Sequence, residues 1–346
     1  MTGSLQARLA RRIAASGAIP VAEFMAEANA HYYASRDPLG QGGDFITAPE
    51  ISQMFGELVG ACLADLWHRA GRPDARYLEL GPGRGTLAAD ALRAMRPAGL
   101  TPDVHFVETS PVLAAVQTER VPQARRHDVI ADLPTDRPLL IVANEFLDAL
   151  PIRQFLKTDA GWRERMIDWS GTGFVPVPGG TTSDADVPPQ LRDAPLGSIV
   201  ETSPAGVAAV AEMSARLLRQ GGAAILIDYG HAKPGVGETL QAVSGHAFAE
   251  PFADPGGRDL TAHVDFSAVA AAARAGGVRS FGPVEQGAWL RALGIDARAA
   301  ALARAAPSRG AEIAAAAERL TSSAAMGRLF KVLALVSPKW PEPAGF

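Results

Sequence analysis

Between Glu79 and Thr86 the chain reads "ELGPGRGT", an acid followed at two-residue intervals by Gly81, Gly83 and Gly85. A glycine-rich turn after an apolar run lets a ligand approach the backbone, because no Cβ fills that volume and the next helix offers free N–H groups. The spacing is GxGxG. A dinucleotide fingerprint would be GxGxxG, and position 86 is Thr. Glu108 closes the next apolar run, near the separation of about 20 residues at which a strand-end acid meets a ribose hydroxyl. Acid, glycines and strand-end acid together imply an adenosine, held by Glu79, Gly81, Gly83, Gly85, Thr86 and Glu108. Taken alone, Glu108 also reads as an exposed carboxylate at the start of a helix.

A second constellation follows a later apolar run. In "ANEFLDALP", Asn144, Glu145 and Asp148 stand directly after "PLLIV", at the strand edge where open α/β sheets bind ligands. Glu145 and Asp148 are three residues apart, so a helical turn would bring them to one side. A polar cap on a strand-to-helix turn, with Asp148 simply capping, is the other reading of the same residues. In "GGDFITAPE", Gly42 and Gly43 allow a tight loop, and Thr47 and Glu50 are placed to cap the helix "ISQMFGELVG".

These residues need short buried strands to position them. "ARYLEL", "DVHFVE", "PLLIVANEF" and "GGAAILIDYG" are such strands, separated by helical stretches, the pattern of a parallel sheet covered by helices. This alternation predicts an α/β doubly wound fold. "VRSFGPVEQ" and "GRLFKVLALV" supply terminal strands as an antiparallel edge pair. Residues 1–70 read as a mostly helical extension, 71–346 as the core, and 151–200 as an insertion. That insertion begins with two short runs around a Gly turn, "RQFLKTDAGWRERMIDW", and continues into a Pro/Gly/Thr/Ser-rich surface loop, "VPVPGGTTSDADVPP". The alanine-rich "ARAAALARAAPSRGAEIAAAAERL" predicts a covering helix pair.

Composition narrows the partners. With 33 Lys+Arg against 37 Asp+Glu, the formal charge of −4 gives no general pull toward nucleic acid or an anionic membrane. Pairs such as Arg11-Arg12 and Arg125-Arg126 read as solvated. No apolar stretch approaches the roughly 18 residues of a membrane span. The single Cys62 excludes an internal disulfide framework and reads as a buried helical thiol. The dispersed histidines lack ligand spacing, so no metal is expected. The first 22 residues are free of acids, which fits a transit peptide, but Leu5, Leu9 and Ile13 recur at helical spacing and favour an ordinary amphipathic helix.

The segment from Glu79 to Gly85 resembles motif I of class I S-adenosylmethionine-dependent methyltransferases. Beyond it, "GGDFITAPEISQMFGELVG", "LELGPGRGTL", "ANEFLDALPIRQF", "IDYGH" and "DLTAHVDFSAVA" stand in the order and spacing of the MidA/NDUFAF7 family. This resemblance implies a class I (Rossmann-like) core with a helical N-terminal extension and a β insertion, and S-adenosyl-L-methionine as methyl donor. It implies that the "GGDFITAPE" loop closes over the donor, with Asp44, Thr47 and Glu50 beside it. The family's mitochondrial member dimethylates an arginine of a respiratory complex I subunit, which makes a protein, and such a subunit in particular, the implied acceptor. For an arginine acceptor, Asn144, Glu145 and Asp148 would orient the guanidinium and drain its proton. Asp228, Tyr229, His231, His263 and Asp265 are candidates for the acceptor side, although a lone His263 also reads as a satisfied, half-buried imidazole. Val243 and Ser244 stand where the family pattern has an aromatic and an arginine. The expected location is a bacterial cytoplasm, or the mitochondrial matrix in a eukaryote. A small-molecule methyltransferase, an assembly factor that binds the donor without catalysis, and an NAD-dependent dehydrogenase are the competing readings.

Overall fold

The computed structural model describes residues 4–35, 37, 47–244 and 247–346. Its main sheet is built from β1 (Arg76–Leu80), β2 (Asp103–Val107), β3 (Arg125–His127), β4 (Leu139–Asn144), β5 (Gly222–His231), β6 (Arg279–Glu285) and β7 (Phe330–Val336). Their order across the sheet is β6-β7-β5-β4-β1-β2-β3. β1 pairs in parallel with both β2 and β4, and β4 with β5. The chain therefore starts in mid-sheet, builds outward to β3, then crosses to the other side of β1. At that reversal the loops leaving β1 and β4 diverge, which opens a cleft at the carboxyl ends of the strands.

β1 and β4 are buried along their whole length, as strands covered by helices on both faces must be. The expected antiparallel pair is present, but only β6 is an edge. β7 lies inside, antiparallel to β5 on one flank and to β6 on the other. The reason is composition: "FKVLALV" is buried at nearly every position, whereas β6 carries Arg279, Ser280 and Pro283 and suits a margin.

After α1 (Leu5–Ser16) and α2 (Val21–Ser35), helices α3 (Gln53–Arg69), α4 (Thr86–Met95), α5 (Pro111–Arg120), α6 (Pro204–Gln220) and α7 (Phe266–Ala275) flank the main sheet. On one face Phe55, Val59 and Leu63 of α3 and Leu87 and Ala91 of α4 share a core with Trp289 and Leu320. The other face is closed by Val210, Met213 and Leu217 of α6 and by Phe266, Val269 and Ala273 of α7. The alanine-rich region forms helices Ile295–Ala305 and Gly310–Thr321.

α1 and α2 belong to a different cluster. Leu5, Leu9, Phe24 and Met25 pack with Ile152, Ile167 and Phe174 of the inserted segment and with Leu240 and Leu260. The insertion is an antiparallel sheet of Arg153–Thr158, Gly161–Trp169, Phe174–Thr182 and Ile199–Thr202, joined by the two-residue strand Ile19–Pro20. Phe174–Thr182 thus corrects the expectation of a surface loop. Pro176 and Pro178 pair with Ile167 and Arg165. The strand pairs only with Gly161–Trp169, and a strand with one free side is where a residue without an N–H is tolerated.

α3 and α4 approach closely because Gly56 and Gly60 fall one turn apart on the contact face. A Cβ at Gly56 would lie 2.7 Å from Asp90 Cβ, and one at Gly60 would lie 2.6 Å from Ala91 Cα. Gly60→Ala should therefore lower the stability measured by urea unfolding by about 1–3 kcal/mol, the usual cost of overpacking. An unchanged midpoint would contradict this packing.

Candidate active site

A cavity of about 760 Å³ opens at the strand ends, between the loop after β1, the ends of β2 and β4, and the inner side of α2. Glu79, Gly81, Gly83, Thr86 and Glu108 all line it. Gly81 and Gly83 have φ of +60° and +54°, values that strain any residue with a Cβ. At Gly81 the close neighbour is Phe146, whose ring would sit 3.1 Å from an added Cβ. Gly85 differs from its two companions: it heads α4 in a left-handed conformation, its missing Cβ faces Val121 and Gln117, and it is not part of the cavity wall.

The two donor-side acids are held differently. Glu79 is 2% exposed, and the Tyr77 hydroxyl, two residues back on the same face of β1, donates to its Oε2 at 2.6 Å. Burial outweighs that bond and pushes the carboxyl up to about 8. Glu108 follows the last residue of β2. Its Oε1 accepts the Ser110 N–H at 2.7 Å and its Oε2 accepts Gln117 Nε2 at 3.1 Å. Burial raises its carboxyl too, against these donors.

At the end of β4 the backbone turns sharply. Glu145 has φ of +49°, a left-handed conformation uncommon outside glycine, so no helical turn follows. The carboxyl faces the cavity wall, where Oε1 accepts the Ala48 N–H at 3.2 Å and Asn144 Nδ2 at 3.1 Å. Burial first, then the charge of Asp148, raise it to about 7. Among the described residues no Lys, Arg or His pairs with it. Asn144 also lines the cavity, and its Oδ1 is buried without a partner.

Asp148 corrects the expectation of two acids on one helical side. It lies behind the cavity wall, 6% exposed, raised to about 6 by burial against a hydrogen bond from Tyr229. The next strand explains why. Asp228 Oδ2 accepts the N–H groups of Phe146, Leu147 and Asp148 at 3.2, 2.9 and 3.2 Å, fixing a non-helical turn in which Glu145 faces outward and Asp148 inward. Asp228 and Tyr229 therefore support the site from behind. His263 is not brought to the cavity: its ring packs edge-on against Tyr229, centroids 5.4 Å apart, and burial lowers its pKa.

Thr47 and Glu50 line the cavity from the opposite side. The Thr86 hydroxyl donates to Glu50. Capping falls elsewhere than expected: Thr47 precedes the short helix Ala48–Ile51 without a side-chain bond, and Ser52 caps α3 by accepting the Met54 N–H. Asp44 lies outside the described residues, as do the side chains of Val243 and Ser244.

Sequence reasoning missed two parts of the wall and one support behind it. Asn29 and Tyr33 come from α2 and Asp128 to Ala131 follow β3, while Gln117 of α5 is bonded to the Gly83 carbonyl without lining the cavity itself. β3 is only three residues long and mostly exposed, so no apolar run announced it. Among the described residues no cluster of His, Cys, Asp and Glu could hold a metal ion, and no helix is long and apolar enough to cross a membrane.

Residues 58–284 match the model of a family described as "Putative S-adenosyl-L-methionine-dependent methyltransferase". The chain is 36% identical to the Drosophila melanogaster "Protein arginine methyltransferase NDUFAF7 homolog, mitochondrial", over 96% of this chain and 85% of the relative. It is also 36% identical to the Mus musculus protein arginine methyltransferase NDUFAF7, covering 94% and 82%. A Burkholderia thailandensis crystal structure bound to S-adenosyl-homocysteine superposes with a TM-score of 0.88 at 31% identity, over 98% of this chain and 93% of that one.

The raised carboxyl of Glu145 has a consequence independent of any ligand. An ordinary glutamate ionises near 4.3 and this one near 7, so its ionisation works against the fold increasingly as pH rises between those values. Glu145→Gln keeps an acceptor for Ala48 and cannot ionise. It should melt higher than the parent protein at pH 8 and show little or no gain at pH 5. An equal shift at both pH values would contradict the assignment.

Proposed function

The chain belongs to the S-adenosyl-L-methionine-dependent methyltransferase family that its residues 58–284 match, and from that premise we propose that it methylates arginine side chains of a protein. The observation that carries the arginine reading is Glu145: a carboxyl raised to about 7, on the wall of the cavity, with no cation beside it among the described residues. A guanidinium entering there would supply the missing counter-charge, and its planar fork suits a carboxylate acceptor. The protein arginine methyltransferase names of the relatives point the same way.

The residues present fit the donor. Glu79 is a buried carboxyl whose protein partner is a hydroxyl, so it suits a cationic group. Glu108, fixed by Ser110 and Gln117, suits a pair of ribose hydroxyls. Gly81, Gly83, Thr86 and Asn144 would complete the donor's seat, with Thr47 and Glu50 across from them. Asp44, in the same segment, is assigned there by the family resemblance. When bound, S-adenosyl-L-methionine supplies the methyl group. Glu145 orients the acceptor nitrogen and takes up its proton, and Asp148 acts through Glu145, by the charge it places behind it. A respiratory complex I subunit is the acceptor implied by the family resemblance, met in the cytoplasm of a bacterium or the matrix of a mitochondrion.

Incubation with isotopically labelled S-adenosyl-L-methionine and protein extracts tests this reading, with the modified side chain located by mass spectrometry. Label on arginine is the expected result, and label confined to another residue type or to small molecules overturns it. With an acceptor in hand, Glu145→Gln should lower kcat by about a hundredfold or more while S-adenosylhomocysteine affinity stays within about threefold. The parent enzyme's kcat/KM should rise with pH through about 6 to 7, as Asp148 and then Glu145 ionise. A flat profile over that range would remove Glu145 from the proton's path.

A further inference from the structure

The side-chain amide of Gln117 is tied to the glycine loop and to the strand-end acid at once. Gln117 lies in the last turn of α5, 3% exposed. Its Nε2 donates to the carbonyl of Gly83 at 2.7 Å and to Oε2 of Glu108 at 3.1 Å. Both partners only accept, so the NH2 group must face them and both its hydrogens are used. The backbone is close as well: a Cβ at Gly85 would stand 3.9 Å from Gln117 Cα. We propose that Gln117 is a positioning residue for donor binding, which sets the distance between the Gly83 carbonyl and the Glu108 carboxylate and turns that carboxylate toward the cavity.

The geometry around Glu108 supports this role. The Ser110 N–H holds Oε1 at 2.7 Å, so Ser110 and Gln117 grip the carboxylate one oxygen each. A carboxylate accepts about four bonds, and with the Thr109 N–H also drawing on it at least one is left for a hydroxyl from the cavity side. Burial favours the protonated form of Glu108, and the N–H groups of Ser110 and Thr109, the Gln117 amide and the Arg126 guanidinium on β3 oppose it. The other titratable or charged groups lining the same cavity are Glu50, Glu79, Glu145 and Glu212, Asp128 after β3, Tyr33 on α2 and Arg84 on the loop after β1. Removing the Gln117 donors therefore both frees the carboxylate to swing and lets it take up a proton at higher pH.

Calorimetric titration of S-adenosylhomocysteine into the full chain tests the proposal at pH 8 and pH 6. Gln117→Leu should weaken binding about tenfold or more at pH 8, as expected for a lost hydrogen bond to a charged group. Its deficit relative to the parent protein should widen on going from pH 8 to pH 6, because the less supported carboxylate takes up its proton more readily than the parent's as pH falls. Gln117→Glu should bind more weakly than Gln117→Leu at pH 8, because a second carboxylate then faces Glu108 and the Gly83 carbonyl. Binding within threefold of the parent at both pH values overturns the proposal. So do equal losses in the two variants that do not change with pH, the result expected if Gln117 merely fills space. Gln117→Met keeps the side-chain length without the donors and replaces Gln117→Leu if thermal melting shows that variant unfolded.

Discussion

Two neighbouring central strands must change direction within a residue or two of leaving the sheet, and the site exists because they do. β1 runs into Gly81 and Gly83, and β4 into Glu145, all with positive φ. After β1 the conformation is supplied by residues without a Cβ. After β4 it is imposed on a glutamate by Asp228, which gathers three successive N–H groups on one oxygen. The two turns meet where the Phe146 ring lies over the space that a Gly81 side chain would need. Backbone strain is thus concentrated at the place where donor and acceptor groups must be brought together.

The acids of the protein differ in how their charge is met. Glu57 on α3 is lowered: burial opposes ionisation, but Arg298 and Arg93 prevail. Those arginines bind it at 2.8 to 3.1 Å and make it a joint between α3 and its neighbours. Among the described residues Glu79, Glu145 and Asp148 have no such partners, and all are raised. An arginine does not by itself decide the direction, since Asp90 is bonded by Arg93 at 2.7 Å and is still raised by burial; Glu57 is lowered because two guanidiniums act on it together.

The parts of the site carried by short contiguous segments were legible in the sequence. The glycine loop, Glu108 and the residues from Asn144 to Asp148 were placed by one strand each, and a strand followed by a turn leaves a local signature. Asp148 was read on the wrong side because the conformation of Glu145 depends on Asp228, some eighty positions away. α2, β3 and Gln117 were missed for a related reason. Nothing in "AEFMAEANAHYY" distinguishes a helix that walls a cavity from one that covers a core. "RRH" carries no apolar run, and a glutamine in a helix reveals nothing until the loop beneath it is known. The prolines of Phe174–Thr182 misled in the opposite sense, since they exclude a central strand but not a marginal one.

Asn29 on α2 is bound through its amide to both backbone groups of Leu260, at 2.8 and 3.0 Å, and α2 shares its apolar cluster with the inserted sheet. During synthesis the wall that α2 provides therefore cannot be fully fastened until Leu260, about three-quarters of the way along the chain, has left the ribosome. Until then the apolar sides of α1 and α2 have only their partners in the inserted sheet, and the uncovered remainder is open to capture by chaperones. The walled cavity is accordingly among the last features to mature, even though the glycine loop beside it is translated early.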